Sequence, residues 1–159
     1  MSIQSFLNAA KVLYDKNFYE EALCLVCTAV DAAAATYYPE KRVTERYKLF
    51  LKDNFRTISE VGFPGISAAG IRIKINSEVD NLRRDPNGYV DMEHIIYHVL
   101  RCGLVHGCHL DERISFVDRT IIGDWNDGKF FLPKAIIWGL IAAIENSSAK
   151  QTSTISYQE

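Results

Sequence analysis

The chain has 159 residues, 48% of them hydrophobic and 24% charged, and its 18 basic and 20 acidic side chains give a formal charge of −2. That length suits one domain whose core needs no metal or disulfide staple. The composition excludes a collagen-like, low-complexity or wholly disordered chain, and the balanced charge excludes a polybasic one, so any nucleic-acid contact must rest on a local patch.

The first residues lack the basic and uninterrupted apolar regions of a secretory signal. Ser2 is a suitable N-cap for a helix reaching about Tyr14, with Phe6, Ala9, Ala10 and Leu13 at helical spacing. After a break at residues 15–17, residues 18–38 form a longer helix with Ala22, Leu23, Val26, Cys27, Val30, Ala33 and Ala34 as its stripe, closed by Pro39. A third helix covers 43–55, with Tyr47, Phe50, Leu51 and Phe55 on one side. From 56 to 89 the pattern weakens. Ile71, Ile73 and Ile75 alternate with Arg72 and Lys74, which is strand-like, although a helical reading survives, and Asp85-Pro86-Asn87-Gly88 is a turn.

Asp91 is placed to cap a fourth main helix with Met92, Ile95, Ile96, Val99, Leu100 and Leu104 facing the core, fraying at Gly103 or Gly107. Residues 114–117 and 120–123 are strand candidates, and Asn126-Asp127-Gly128 before residues 129–132 predicts a hairpin return. Pro133 fits the first position of a last helix with Ile136, Ile137, Leu140, Ile141 and Ile144 as its apolar face. The most apolar stretch, 135–144, is too short to span a bilayer, so the expected compartment is the cytoplasm. The reading is an all-α bundle of four to five helices with a small β-hairpin before the last one: one domain over residues 1–146, and a disordered tail over 147–159.

Arg101 and His106 stand as R-x-x-x-x-H at the end of the fourth helix, inside an apolar frame from Tyr97 to Gly107. This segment, together with the order of elements, resembles the HEPN domain, a small helical bundle of prokaryotic ribonucleases and toxin or antiphage proteins. The resemblance covers about residues 2–145 in architecture, and its specific part is Arg101 and His106. It implies a homodimer in which both pairs line one cleft, and metal-independent cleavage of RNA by 2′-hydroxyl attack, with no cofactor. His106 would move protons, because an imidazole titrates near neutral pH, and Arg101 would hold the phosphate and the transition-state charge. It also implies a possible cognate antitoxin or nucleotidyltransferase partner. Where family members often carry Asn, Asp or His after the arginine, this chain has Cys102.

Geometry adds a constraint of its own. Residues five apart on a regular α-helix point about 140° away from each other and are separated by about 7.5 Å of rise. The pair therefore needs either a loosened helix end at Gly103 and Gly107 or a two-fold axis to converge.

Other readings stand beside this one. Arg101 and His106 at a helix end also satisfy its last carbonyls and its dipole. Asp31, at the edge of the second helix's stripe, either faces solvent or supports Arg101 and His106. Arg72, Lys74, Arg83 and Arg84 are the basic residues best placed to follow an RNA backbone, or simply a solvated loop. His94, His98, Cys102 and His106 recur every four residues but drift about 40° per step, so no metal centre is expected. The four cysteines read as buried reduced thiols. The alternative function is a non-catalytic HEPN-like module binding nucleotide, RNA or a protein.

Overall fold

The Ser2 hydroxyl accepts the Ser5 amide at 3.2 Å while Ser5 Oγ accepts the Ser2 amide at 3.0 Å, so the chain opens on a reciprocal helix cap. In the computed structural model, which describes residues 2–75, 79, 82–120 and 129–155, that cap starts α1 (Ile3–Asp15). Asn17, at φ 65°, makes the break. Asparagine tolerates the left-handed region better than most residues.

α2 (Tyr19–Tyr37) is the central helix, with Ala22, Leu23, Val26, Cys27, Ala29, Val30, Ala33 and Ala34 all buried. It packs against α1, α3 (Val43–Asp53), α6 (Ile136–Ile155) and the motif helix. Its small side chains let those neighbours approach from several directions, which is why one helix serves four contacts.

The expected third helix is two. Asn54 separates α3 from α4 (Phe55–Gly62) and donates its amide to the Phe50 carbonyl at 2.9 Å. α4 and α6 meet at glycines. A Cβ on Gly139 would lie 2.6 Å from the Ile58 carbonyl oxygen, and one on Gly62 would lie 3.1 Å from Ile136 Cα.

β1 (Arg72–Lys74) and β2 (Tyr89–Asp91) pair antiparallel with the buried Ile73 opposite Val90, which settles the 71–75 segment as strand. The turn between them is built as expected: Asp85 Oδ1 accepts the amides of Asn87 and Tyr89, and Gly88 adopts φ 85°. Asp91 stands at the N-cap position of the next helix but makes no side-chain cap bond; Arg72 Nε donates to its Oδ1 at 2.9 Å.

Three further expectations need correction. β3 (Ile114–Val117) and β4 (Phe130–Pro133) pair in parallel, so they are not a hairpin. The pairing places Phe130 and Leu132 in the core. Trp125 and the Asn126-Asp127-Gly128 turn on which the hairpin rested lie outside the described residues. Pro133 ends β4, and α6 begins three residues later at Ile136.

The last correction concerns the tail. α6 runs on to Ile155, through most of the stretch expected to be disordered. The buried Ser147 explains the continuation: its one hydroxyl proton is shared between the Ala143 carbonyl at 2.8 Å and Asn54 Oδ1 at 2.9 Å, fastening the helix to the α3–α4 junction. Among the described residues the molecule is thus mostly helical, with six helices and two two-stranded sheets. No helix among them is long and apolar enough to cross a membrane.

Candidate active site on a widened helix

The motif helix begins as α5 (Met92–Ile95), runs through Gly103 and ends at Gly107, the second of the two glycines expected to close it. It continues in π-helical form through Ile96–Arg101 and Gly103–Gly107. A π-turn closes its hydrogen bond between residues five apart, where an α-turn closes it between residues four apart. Residues 101 and 106 are therefore brought towards the same side. Gly103 is needed at the close, because a Cβ there would lie 2.9 Å from the His109 carbonyl oxygen. Cys108, at φ 55°, ends the helix with its amide on the Leu104 carbonyl.

The widening does what the α-helical spacing forbids. Arg101 Nη1 lies 2.6 Å from His106 Nε2 within one chain. Arginine carries donors only, so this contact uses the lone pair of Nε2 and places the imidazole proton on Nδ1. His106 is exposed, whereas Arg101 is 7% exposed. The arginine is thus the wall of the site and the histidine its solvent-facing member.

Asp31 holds the wall in place. Its Oδ2 accepts Arg101 Nη2 at 2.5 Å, so α2 contributes a carboxylate to the pair on the motif helix. Burial works against the Arg101 charge, and Asp31 outweighs it, leaving the guanidinium above its ordinary range. The guanidinium also stands 5.4 Å from the centre of the Tyr97 ring, whose hydroxyl is hydrogen-bonded to Thr44 Oγ1 at 2.8 Å. Tyr47 packs edge-on against Tyr97 at 5.2 Å.

A second guanidinium reaches the same carboxylate from α3: Arg46 Nη2 is 3.9 Å from Asp31 Oδ1. Two cations thus face one carboxylate. The buried atoms Asp31 Oδ1, Arg46 Nε and Arg101 Nε have no hydrogen-bond partner, so donor capacity remains beside the pair.

Of the expected site residues, Asp31, Arg101 and His106 come together. Cys102 is half-buried and turns into a groove beside them, shared with His94 and His98, whose ring centres are 6.3 Å apart. Among the described residues, no three His, Cys, Asp or Glu side chains converge to hold a metal ion. The basic candidates separate. Arg72 is ion-paired to Asp85 and Asp91, and Arg84 Nη1 donates to the Ile75 carbonyl at 3.1 Å. Lys74 is exposed on β1, and only Arg83 lines the groove.

The cysteines are free but not uniformly buried. Cys27 is fully enclosed and burial pushes its thiol up to about 12, Cys24 and Cys102 are half-buried, and Cys108 is exposed. The sequence reading missed Arg46, Thr44 and Lys48. Their only signal is their place on α3, where Thr44 lies one turn before Tyr47 and Arg46 and Lys48 flank it.

Residues 2–158 match the Rv1289 family. The chain belongs to that family. Relatives include the uncharacterized proteins Rv1289 of Mycobacterium tuberculosis and Mb1320 of Mycobacterium bovis, each 28% identical over 136 residues. Those alignments cover 81% of this chain and 62% of each relative, so this Rv1289-family chain spans less than two thirds of the length of the curated relatives it matches. No solved structure matches it.

Proposed function

We propose that this Rv1289-family chain is an endoribonuclease of HEPN type that cleaves RNA without a metal ion. The observation that carries the reading is the 2.6 Å contact between Arg101 Nη1 and His106 Nε2. It pairs a donor-rich cation with the imidazole of an exposed histidine, two groups suited to transesterification of RNA.

In that reaction Arg101 Nη1 turns from His106 Nε2 to the phosphate, the RNA 2′-hydroxyl oxygen attacks the adjacent phosphorus, and its proton passes to the freed Nε2. Arg101, fixed by Asp31, donates to the non-bridging oxygens as negative charge builds on them. The P–O5′ bond breaks, leaving a 2′,3′-cyclic phosphate and a 5′-oxygen that takes up a proton. A homodimer with two such pairs in one cleft would supply the acid for that last step from the second imidazole. A toxin or antiphage role, and an antitoxin or nucleotidyltransferase partner, belong to the same proposal.

One observation favours the second reading, a binding module without catalysis: both terminal nitrogens of Arg101 are engaged and the residue is almost fully buried. Incubating RNA with the protein in EDTA separates the two. The nuclease reading expects products ending in 2′,3′-cyclic phosphate, with the rate about 10²–10⁴-fold lower for His106→Ala and about 10²–10³-fold lower for Arg101→Ala. Absence of cleavage, or cleavage indifferent to both changes, overturns it.

A further inference from the structure

A groove of about 680 Å³ opens beside the pair, lined by Lys48, Leu82, Arg83, His94, His98 and Cys102. It adjoins the candidate site in two ways. Cys102 follows Arg101 directly, and Lys48 Nζ stands 5.7 Å from the centre of the same Tyr97 ring that Arg101 approaches at 5.4 Å.

Its chemistry is that of an anion site with an apolar floor. Lys48 and Arg83 bring two positive charges from separate parts of the chain, and Arg84, bonded to the Ile75 carbonyl, holds the segment that carries Leu82 and Arg83. Burial and the neighbouring ammonium of Lys48 hold His94 and His98 below their ordinary range, so both rings are neutral near pH 7. Among the described residues, the carboxylates bearing on Lys48 and His94 are Glu93 and Asp91, and Asp91 is already engaged by Arg72. Two cations between neutral imidazoles repel a metal ion and attract a phosphate. Planar imidazoles beside a leucine offer an unstacked base a surface to lie on.

We propose that this groove is a nucleotide subsite of the nuclease: it holds the residue next to the cleaved phosphodiester, with Lys48 and Arg83 on its phosphate and the base laid over Leu82, His94 and His98. The assignment rests on the nuclease reading, and binding is measured apart from cleavage so that the two can fail separately. The probe is a fluorescent 2′-O-methyl oligoribonucleotide of mixed sequence, which has no nucleophile and cannot be cut. Its polarisation is followed with the full chain over a range of salt concentrations.

Lys48→Ala combined with Arg83→Ala is expected to weaken binding about tenfold and to lower the slope of log affinity against log salt by about 1.4, the single-strand value for two contacts. Lys48→Arg combined with Arg83→Lys should keep the affinity. Arg83→Ala alone, at an exposed position, keeps the test open if the double variant fails to fold. Wild-type affinity in the alanine variants, or no binding by the wild type, overturns the subsite. If the oligonucleotide binds through the groove but an all-ribose strand is never cut, the nuclease reading falls and the groove stands as an RNA-strand site.

Discussion

A guanidinium that is 7% exposed is a heavy charge to keep in a small domain, and Asp31 makes it tolerable. Removing one partner of such a pair strands the other in a poorly solvated place. Asp31→Ala should therefore lower the unfolding free energy by about 2–4 kcal/mol. Asp31→Ala combined with Arg101→Ala should cost at least about 1 kcal/mol less than the two single changes added together. Urea titrations of the four proteins measure that coupling, and strict additivity would show that the two side chains do not depend on each other.

His98 makes a different prediction. Burial first, then Lys48 and His94, lower its proton affinity from the ordinary value of 6.5 to about 4. Below pH 6.5 the unfolded chain binds a proton there while the folded chain does not, so stability falls as pH drops and levels off below about 4. The unfolding midpoint in urea should decline across that window, and His98→Asn should flatten the decline. An unchanged profile in the variant would assign the acid sensitivity to other groups.

At the scale of elements, α4 and α6 are held together by the absence of side chains. Gly139 has backbone of Ile58 and Gly62 where its Cβ would be. Gly139→Ala gains about 1 kcal/mol of helix propensity, but overpacking costs about 1–3 kcal/mol and the obstruction is backbone, which does not move aside. A net fall in melting temperature is the expected outcome, and a rise would mean the two helices can separate freely.

This contact also shows why the elements were unevenly legible. α1 and α2 announce themselves by apolar spacing, and the β1–β2 turn by Asp85 and Gly88, because those signals are local. The α3–α4 boundary is one asparagine inside a continuous apolar pattern, with no proline or glycine to mark it. The parallel β3–β4 pairing depends on what Phe130 and Leu132 bury against, which a turn-like sequence at 126–128 does not disclose. Arg101 and His106 were visible as a motif and Asp31 as a stripe-edge acid. Their meeting was not, since α-helical geometry sends the first two apart and only the widened turns reverse that.

For the whole molecule, the decisive link joins the last helix to the α3–α4 corner. Ser147, midway along α6, bonds Asn54 between α3 and α4, so the C-terminal helix closes that corner. Ser147→Ala leaves Asn54 Oδ1 without that donor, at a cost of about 1–2 kcal/mol. Amide hydrogen exchange should speed up around Asn54 as well as in α6. Exchange altered in α6 alone would mean that the helix end is not coupled to the corner.

The π-helical turns amount to a register change of one position. In α form, the pair would meet if it stood four positions apart, with three residues between, an interval at which α-helical neighbours face each other. Removing any one of residues 102–105 while letting the segment relax to α geometry would put the arginine and histidine side by side again. Spacing in this motif is therefore tied to helix form and not to distance along the chain. An R-x-x-x-x-H read on a regular helix and the same letters read here describe opposite arrangements in space.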